Sequence, residues 1–155
     1  MRSKNSKIYP DLKVQIMLIS GNNRYSRKKN HGMDSFSGFS LGVFPLYPSS
    51  RGTTHLRSNN FRDNPIIKAN YLSTPEDRNL TIKGLRLLRK IATQKSISPY
   101  IVREVRPGKN IEDDEGLLNF ARETGQTSWH SVSTCRMGKG PVSYTHLTLP
   151  TTVSV

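Results

Sequence analysis

The sequence predicts an α+β protein in which an antiparallel sheet is flanked by helices. Short apolar segments with the spacing of strands come first along the chain. Two longer segments with the 3.6-residue period of helices follow, and strands and helices do not alternate in a repeating rhythm. This order favours the α+β class over a parallel α/β sheet. The 155 residues are enough for one domain with a hydrophobic core.

Three stretches predict the strands. Residues 12–19, LKVQIMLI, alternate between apolar and polar and then run apolar, which indicates a buried strand. A second strand is predicted over residues 39–46, which ends in a proline-containing segment. A turn at Arg51 and Gly52 then leads into a short third strand over residues 53–57.

The first helix has a clear N-terminal signal. Thr74 is a good N-cap, Pro75 stands at the first helical position, and Asp77 completes the spacing of a capping box. The predicted apolar stripe consists of Leu80, Leu85, Leu88, Ile91 and Ala92. The charged residues between them, which are Lys83, Arg86, Arg89 and Lys90, are predicted to form a solvated face.

The second helix is predicted to begin near Asp113. The acidic side chains of Asp113, Asp114 and Glu115, which are predicted to lie in its first turn, suit the positive end of the helix dipole, and Gly125 is a natural C-terminal cap. The predicted buried side consists of Leu117, Leu118, Phe120 and Ala121.

The chain is strongly basic, with 24 Lys and Arg against 11 Asp and Glu and a net charge of +13. Such a charge raises nucleic acid or an anionic membrane as a partner. A nucleic-acid-binding surface usually has several aromatic side chains that stack on bases between its basic residues. Here Tyr25 is a single aromatic residue among basic ones, so no specific nucleic-acid partner is predicted. We interpret the charge as that of a piece of a longer protein whose remainder balances it.

The single Cys excludes an internal disulfide, which is typical of a reducing compartment and favours a cytoplasmic location. The apolar run over residues 16–19 is too short for a signal peptide, and no stretch approaches the roughly 20 apolar residues of a transmembrane helix. No transmembrane segment is therefore expected.

The stretch TSWHSVSTCRMGKG, residues 127–140, contains the only Trp and the only Cys of the chain. His130 is the candidate for acid–base chemistry because an imidazole titrates near neutral pH. Trp129 is a candidate for a pocket wall. Cys135 has no second His or Asp at a motif spacing, so it is interpreted as a small buried hydrophobe, and no metal site is predicted.

Three stretches together resemble one known family. They are SRGTTHLRSNN with the following NPIIKANYLSTPEDRNL, the helix GLRLLRKIA, and EDDEGLLNFARETGQTSWHSVSTCRMG. In this order and spacing, from Tyr9 to Gly138, they are similar to the C-terminal, substrate-binding half of the glucose–methanol–choline (GMC) oxidoreductases, the choline-dehydrogenase-like flavoproteins.

The resemblance implies an FAD-dependent alcohol dehydrogenase or oxidase that acts on CH–OH donors and passes a hydride from the alcohol to the flavin. His130 falls on the family's catalytic histidine, which lies in front of the flavin ring and handles the hydroxyl proton. The resemblance further implies that Trp129 lines the substrate pocket and that Arg136 approaches the cofactor or a domain carboxylate. Ser131 and Ser133 stand where the family frequently has Pro and Gly, which bears on the class of substrate.

Two absences lead to the predicted domain organisation. No G-x-G-x-x-G follows a strand, so the dinucleotide-binding fingerprint is missing from the sequence. The family's second catalytic position, a His or Asn, would lie beyond the native sequence. Residues 1–138 are therefore predicted to be a GMC substrate domain that is inactive alone. Residues 139–155 are predicted to be a non-native tail, because VSYTHLTLPT is one reading frame of a transposon-end sequencing adapter.

Other functions stay open at this stage. Members of the same family include lyases that act on cyanohydrins, and the histidine motif does not distinguish them. A basic nucleic-acid-binding module and a non-catalytic interaction module are the alternatives from other classes. The sequence leaves open which alcohol is the substrate, which electron acceptor is used and which oligomeric state is formed.

Overall fold

A computed structural model describes residues 1, 9–22, 32–127, 130, 132 and 138. The chain divides into two units, Met1–Gly125 and Gln126–Val155. In the first unit, six short strands precede two α-helices, so the predicted α+β class is confirmed. The strands form three two-stranded antiparallel sheets.

The first sheet pairs β1, Leu12–Met17, with β4, Ser40–Pro45. The predicted strand over residues 12–19 was therefore too long. The reason is the register, since Met17 lies opposite Ser40, where β4 begins, and Leu18 has no strand residue opposite it. The predicted strand is also not a buried strand, because only Leu12 is buried, whereas Ile16 is 52% exposed and Leu18 is 84% exposed. A second, minimal sheet pairs β2, Gly21–Asn22, with β3, Gly32–Met33.

The third sheet is a hairpin of β5, Thr53–His55, and β6, Ile66–Lys68. The strand predicted over residues 53–57 ends early, at His55. His55 lies opposite Ile66, so the next residue of β5 would face Pro65, which has no N–H to donate to the ladder. The hairpin is exposed on both of its strands.

Helix α1, Pro75–Ala92, has the predicted cap: Thr74 Oγ1 accepts a hydrogen bond of 3.4 Å from the N–H of Asp77. Its buried positions follow a helical period but differ from the predicted stripe, of which only Leu88 is buried. They are Asp77, Thr81, Ile82, Gly84 and Leu88. The apolar pattern of the sequence does not indicate this face, because two polar residues, Asp77 and Thr81, and a glycine, Gly84, lie on it. The other predicted stripe residues are half-buried.

Helix α2, Asp114–Thr124, is capped by Asp113, whose carboxylate accepts a hydrogen bond of 2.9 Å from the N–H of Gly116. Leu117 is fully buried, with 0% of its surface exposed, and the other predicted apolar residues of α2 are half-buried. The helix ends at Gly125 as predicted, and the N–H of Gly125 donates to the carbonyl of Ala121 over 2.8 Å. A Cβ at Gly125 would lie 2.3 Å from that oxygen, so a side chain does not fit there.

Arg89 corrects the prediction of a uniformly solvated charged face on α1. Its guanidinium binds the carboxylate of Glu104 through two nitrogens, Nε and Nη2. It also donates to the carbonyl oxygens of Ile111 and Gly108 over 2.8 and 3.0 Å. The side chain is 27% exposed, so Arg89 fastens the segment before α2 to α1. Lys83, Arg86 and Lys90 are exposed as predicted.

Buried apolar side chains of the described residues come from β1 and from both helices; they are Leu12, Ile82, Leu88 and Leu117. Helix α1 packs on β4 and on α2, so these contacts form the core of the first unit. Within the part of the chain that the structure describes, neither helix is long and apolar enough to cross a membrane.

Candidate active site

The turn between β4 and β5, which opens the family-like signature SRGTTHLRSNN, is tied to the start of α1. The carboxylate of Asp77 accepts hydrogen bonds from the backbone N–H groups of Ser49 and Ser50 over 2.9 and 2.8 Å, and from Ser49 Oγ over 3.1 Å. Ser50 Oγ in turn accepts from the N–H groups of Ser73 and Thr74. The first turn of α1 therefore binds this loop.

This arrangement differs from the predicted capping box. In a capping box the side chain at the Asp77 position would return to the N–H of the N-cap residue. Here the N–H of Thr74 donates to Ser50 instead, and Asp77 is 4% exposed beneath the loop. Burial raises the pKa of the Asp77 carboxyl, but hydrogen bonds from Ser50 and Ser49 outweigh burial and leave the pKa below its ordinary value.

The base of the β5–β6 hairpin requires glycine at position 52. A Cβ on Gly52 would lie 2.3 Å from the carbonyl oxygen of Lys68 and 2.7 Å from that of Ala69. Asn70, in the left-handed region with φ of 52°, donates from Nδ2 to the carbonyl of Arg51 over 2.9 Å. These contacts agree with the predicted turn at Arg51 and Gly52 and give both residues a structural role.

A second polar cluster joins three segments that are far apart in the sequence. Asp34 follows β3, and its carboxylate accepts a hydrogen bond of 2.6 Å from Ser20 Oγ and forms an ion pair with Arg106. The hydrogen bond from Arg106, followed by that from Ser20, holds the pKa of Asp34 below its ordinary value. Sequence reasoning missed this cluster, because no local pattern links Arg106 to residues so far away in the sequence.

An open cavity of about 260 Å³ adjoins this cluster. Its walls combine exposed apolar side chains with the Asp34 carboxylate and small polar residues; they are Leu18, Ile19, Ser20, Met33, Asp34, Phe36, Ser37 and Gly38.

His130, the predicted catalytic residue, lies in the second unit, and its side chain is exposed. An exposed imidazole is accessible to a substrate hydroxyl, as an acid–base group must be. Trp129, Cys135 and Arg136 lie outside the described residues, and so do Ser131 and Ser133. The predicted roles of all these residues stay predictions.

The described residues do not fit the dinucleotide part of FAD. A pyrophosphate is usually bound by free N–H groups at a helix N-terminus, behind a glycine-rich loop. In the first turn of α1 an N–H group already donates to the side chain of Thr74, and in the first turn of α2 an N–H group donates to that of Asp113. The sequence also has no glycine-rich fingerprint. The described residues also contain no group of three or more His, Cys, Asp or Glu side chains placed to hold a metal ion.

Comparison with known proteins identifies the class of protein. The family model described as GMC oxidoreductase matches residues 48–144, which is more than half of the chain. The chain therefore belongs to the GMC oxidoreductase family. The matched range begins just before the Ser49–Ser50 turn and includes both helices and His130.

Individual relatives agree with this assignment. The chain is 33% identical over 138 residues to the oxygen-dependent choline dehydrogenase of Staphylococcus haemolyticus, and equally to that of Staphylococcus aureus. The aligned region is 89% of this chain and 23% of each relative. Among solved structures, the pyridoxine 4-oxidase from Mesorbium loti superimposes with a TM-score of 0.76 at 26% identity, over 92% of this chain and 28% of that one. The chain thus spans about a quarter of the length of these proteins.

Proposed function

We propose that this chain is the substrate-domain portion of an FAD-dependent oxidoreductase that oxidises the CH–OH group of a small alcohol. The observation that carries the proposal is the family match over residues 48–144, which includes the histidine motif. The substrates named for the relatives support an alcohol substrate, because choline and pyridoxine both carry hydroxyl groups. Which alcohol this chain serves is left to experiment.

His130 is the residue that we propose to accept the hydroxyl proton. Removing a hydride from the carbinol carbon is easier once the hydroxyl proton has a base to receive it, and a neutral imidazole serves this purpose near pH 7. The family match over residues 48–144 includes His130 and supports this role at the level of the family. Trp129 is proposed as a wall of the substrate pocket, and Arg136 as a group near the cofactor or a domain carboxylate.

In this proposal FAD, the hydride acceptor, is bound by a part of the full-length protein other than the described residues. Whether the purified chain binds FAD therefore tests the proposal that the chain is only the substrate-domain portion. We expect the purified chain to retain no flavin, because the helix N-termini of α1 and α2 are capped by its own side chains. Absorbance of the gel-filtered protein near 450 nm checks this, and stoichiometric flavin would contradict it.

The catalytic proposal requires a complete enzyme. Residues 9–138 should be exchanged into a full-length choline dehydrogenase relative, so that a flavin site and the remaining C-terminal residues are present. We expect the chimera to bind FAD and to reduce it anaerobically with an alcohol, tested with choline and with pyridoxine. The parent relative is the control.

Two results would contradict the proposal. A chimera that binds FAD and is folded, yet is reduced by no alcohol, would show that this segment does not form an alcohol site. Cleavage of a cyanohydrin to an aldehyde and cyanide, without flavin reduction, would instead favour lyase chemistry.

Oxygen consumption and reduction of a quinone, measured in parallel, distinguish the two types of electron acceptor.

We also propose that residues 139–155 do not contribute to the domain. The family match ends at residue 144, a few residues beyond the proposed boundary. A chain shortened to residues 1–138 should unfold at nearly the same temperature as the full chain, and a loss of several degrees would contradict the proposal.

A further inference from the structure

A long connection between the two helices forms neither helix nor strand. It comprises residues 101–113, all of which the structure describes, and ends where α2 begins; we call it the strap. None of its residues belongs to the buried apolar core. A connection of this length without secondary structure is uncommon in a compact unit. Since no helix or strand orders the strap, its conformation depends on contacts with other elements.

The first of these contacts is made by Arg89 of α1. Its guanidinium binds the carboxylate of Glu104 through two nitrogens. It also donates to the carbonyl oxygens of Gly108 and Ile111 over 3.0 and 2.8 Å. Hydrogen bonds from a planar guanidinium are charge-assisted and stronger than neutral ones. One side chain of α1 therefore holds the strap at several points along its length.

The second contact fastens the strap to a different element. Arg106 forms an ion pair with Asp34, which follows β3, and donates to Ser20 Oγ over 3.4 Å. The side chains of Arg106 and Asp34 are only 30% and 16% exposed, so salt screens this pair less than a surface pair. Glu104 and Arg106 are separated by one residue, so the two contacts act on the strap at neighbouring points.

We propose that the strap is a conformational device that opens as one unit while the core of α1, β1 and β4 stays folded, and that Arg89 and Arg106 together keep it closed. Opening of a segment without a backbone ladder costs less free energy than global unfolding. The contacts join residues of this chain to each other, so the inference depends neither on what the rest of the protein covers nor on alcohol oxidation.

Opening of the strap would change the charge at the open cavity of about 260 Å³, because the carboxylate of Asp34 is part of its wall. In the closed strap this carboxylate is paired with Arg106. In the open strap Arg106 leaves it. The position of the strap therefore sets the charge on this wall.

The test is amide hydrogen exchange of the purified chain near pH 7, followed by NMR. The reporter for the strap is the N–H of Ile111, which donates to the carbonyl of Gly108 over 3.2 Å. The N–H of Leu88, a buried residue of α1, reports on the core. If the strap opens alone, the N–H of Ile111 should be protected at least about tenfold less than that of Leu88.

Variants of the two contacts test whether the strap opens as one unit. Glu104→Gln weakens the contact with Arg89 and should speed exchange at Ile111 about tenfold. Asp34→Asn weakens the contact with Arg106 and should also speed exchange at Ile111, by roughly threefold or more, although Asp34 lies on a different element. Arg106→Gln removes the other partner of that ion pair and should have the same effect, which keeps the test decisive if Asp34→Asn does not fold.

Asp77→Asn is the matched control. It makes the same change, from a carboxylate to an amide, at a buried residue that binds the loop before β5. It should speed exchange at Leu88, because it destabilises the core, but leave exchange at Ile111 unchanged.

Two results would overturn the proposal. If Asp77→Asn speeds exchange at Ile111 as much as at Leu88, the strap opens only when the whole unit unfolds. If Glu104→Gln speeds exchange at Ile111 while Asp34→Asn and Arg106→Gln leave it unchanged, the two contacts are independent and the strap does not open as one unit.

Discussion

Gly84 of α1 lies directly against Val43 of β4: a Cβ atom on Gly84 would stand 2.7 Å from Cγ2 and 3.0 Å from Cγ1 of Val43. Both contacts are shorter than van der Waals packing allows. The helix approaches the strand this closely because position 84 has no side chain.

Gly84→Ala should therefore destabilise the protein. At an exposed helix position a change from Gly to Ala raises the free energy of unfolding by up to about 1 kcal/mol. At a buried contact the added methyl group overpacks the core, which lowers the free energy of unfolding by about 1–3 kcal/mol. We expect a net loss in the free energy of unfolding measured in urea. The loss should disappear in a Val43→Ala background, where the methyl group has room. Stabilisation of the parent protein by Gly84→Ala would show that α1 and β4 are not in close contact.

Asp77→Asn should also destabilise the protein, although the shape of the side chain is kept. An amide nitrogen in place of one carboxylate oxygen would face an N–H group of Ser49 or Ser50, and neither can accept a hydrogen bond. We expect a loss of about 1–3 kcal/mol in the free energy of unfolding. Glu76→Gln, at an exposed position in the same turn, is the control and should have little effect. Equal small effects of both changes would contradict the assigned role of Asp77.

The ion pair between Asp34 and Arg106 predicts a dependence of stability on pH. Its hydrogen bonds lower the pKa of Asp34 in the folded protein below the unfolded value. The contribution of Asp34 is therefore fully present above the unfolded pKa, about 4, and is lost as the pH falls through the lower folded pKa. Asp34→Asn should flatten the unfolding free energy between about pH 2 and 5. Glu123→Gln, an exposed control, should keep the parent profile, and an unchanged profile for Asp34→Asn would contradict the ion pair.

Thr81 carries a buried hydroxyl group that has no hydrogen-bond partner among the described residues. Thr81→Val replaces it with a methyl group of similar size and should raise the free energy of unfolding by about 1–2 kcal/mol. At Thr93, by contrast, the hydroxyl is exposed and donates to the carbonyl of Lys90 over 3.0 Å, so Thr93→Val should not stabilise. A destabilising Thr81→Val would mean that the hydroxyl has a partner.

Local chemistry was predictable from the sequence where it acts over a few residues. The cap at Thr74, the start of α2 near Asp113 and the helix end at Gly125 were predictable because capping depends on neighbouring N–H and carbonyl groups. Burial on α1 was predicted less well, because Gly84 is buried for its lack of a side chain and Asp77 for its hydrogen bonds. Neither property contributes to an apolar period.

Long-range polar contacts were not predictable. The sequence predicts a solvated charge at Arg89, whereas its ion pair with Glu104 depends on how the segment before α2 folds back onto α1. At the candidate site, His130 was identified only through the motif that surrounds it, since a single His has no distinctive spacing. The family match supports that identification at the level of the family.

His130 is proposed to accept the substrate proton, and the direct test is anaerobic reduction of flavin by alcohol in the chimera that carries residues 9–138. His130→Ala should slow this step by roughly 10²- to 10⁴-fold, the usual contribution of a positioned acid–base group. Two control changes, Cys135→Ala and His55→Ala, should slow flavin reduction far less. His55 is an exposed histidine of the β5–β6 hairpin. If His130→Ala reduces flavin at the parent rate, or if Cys135→Ala is the inactive variant, the account of the site is wrong.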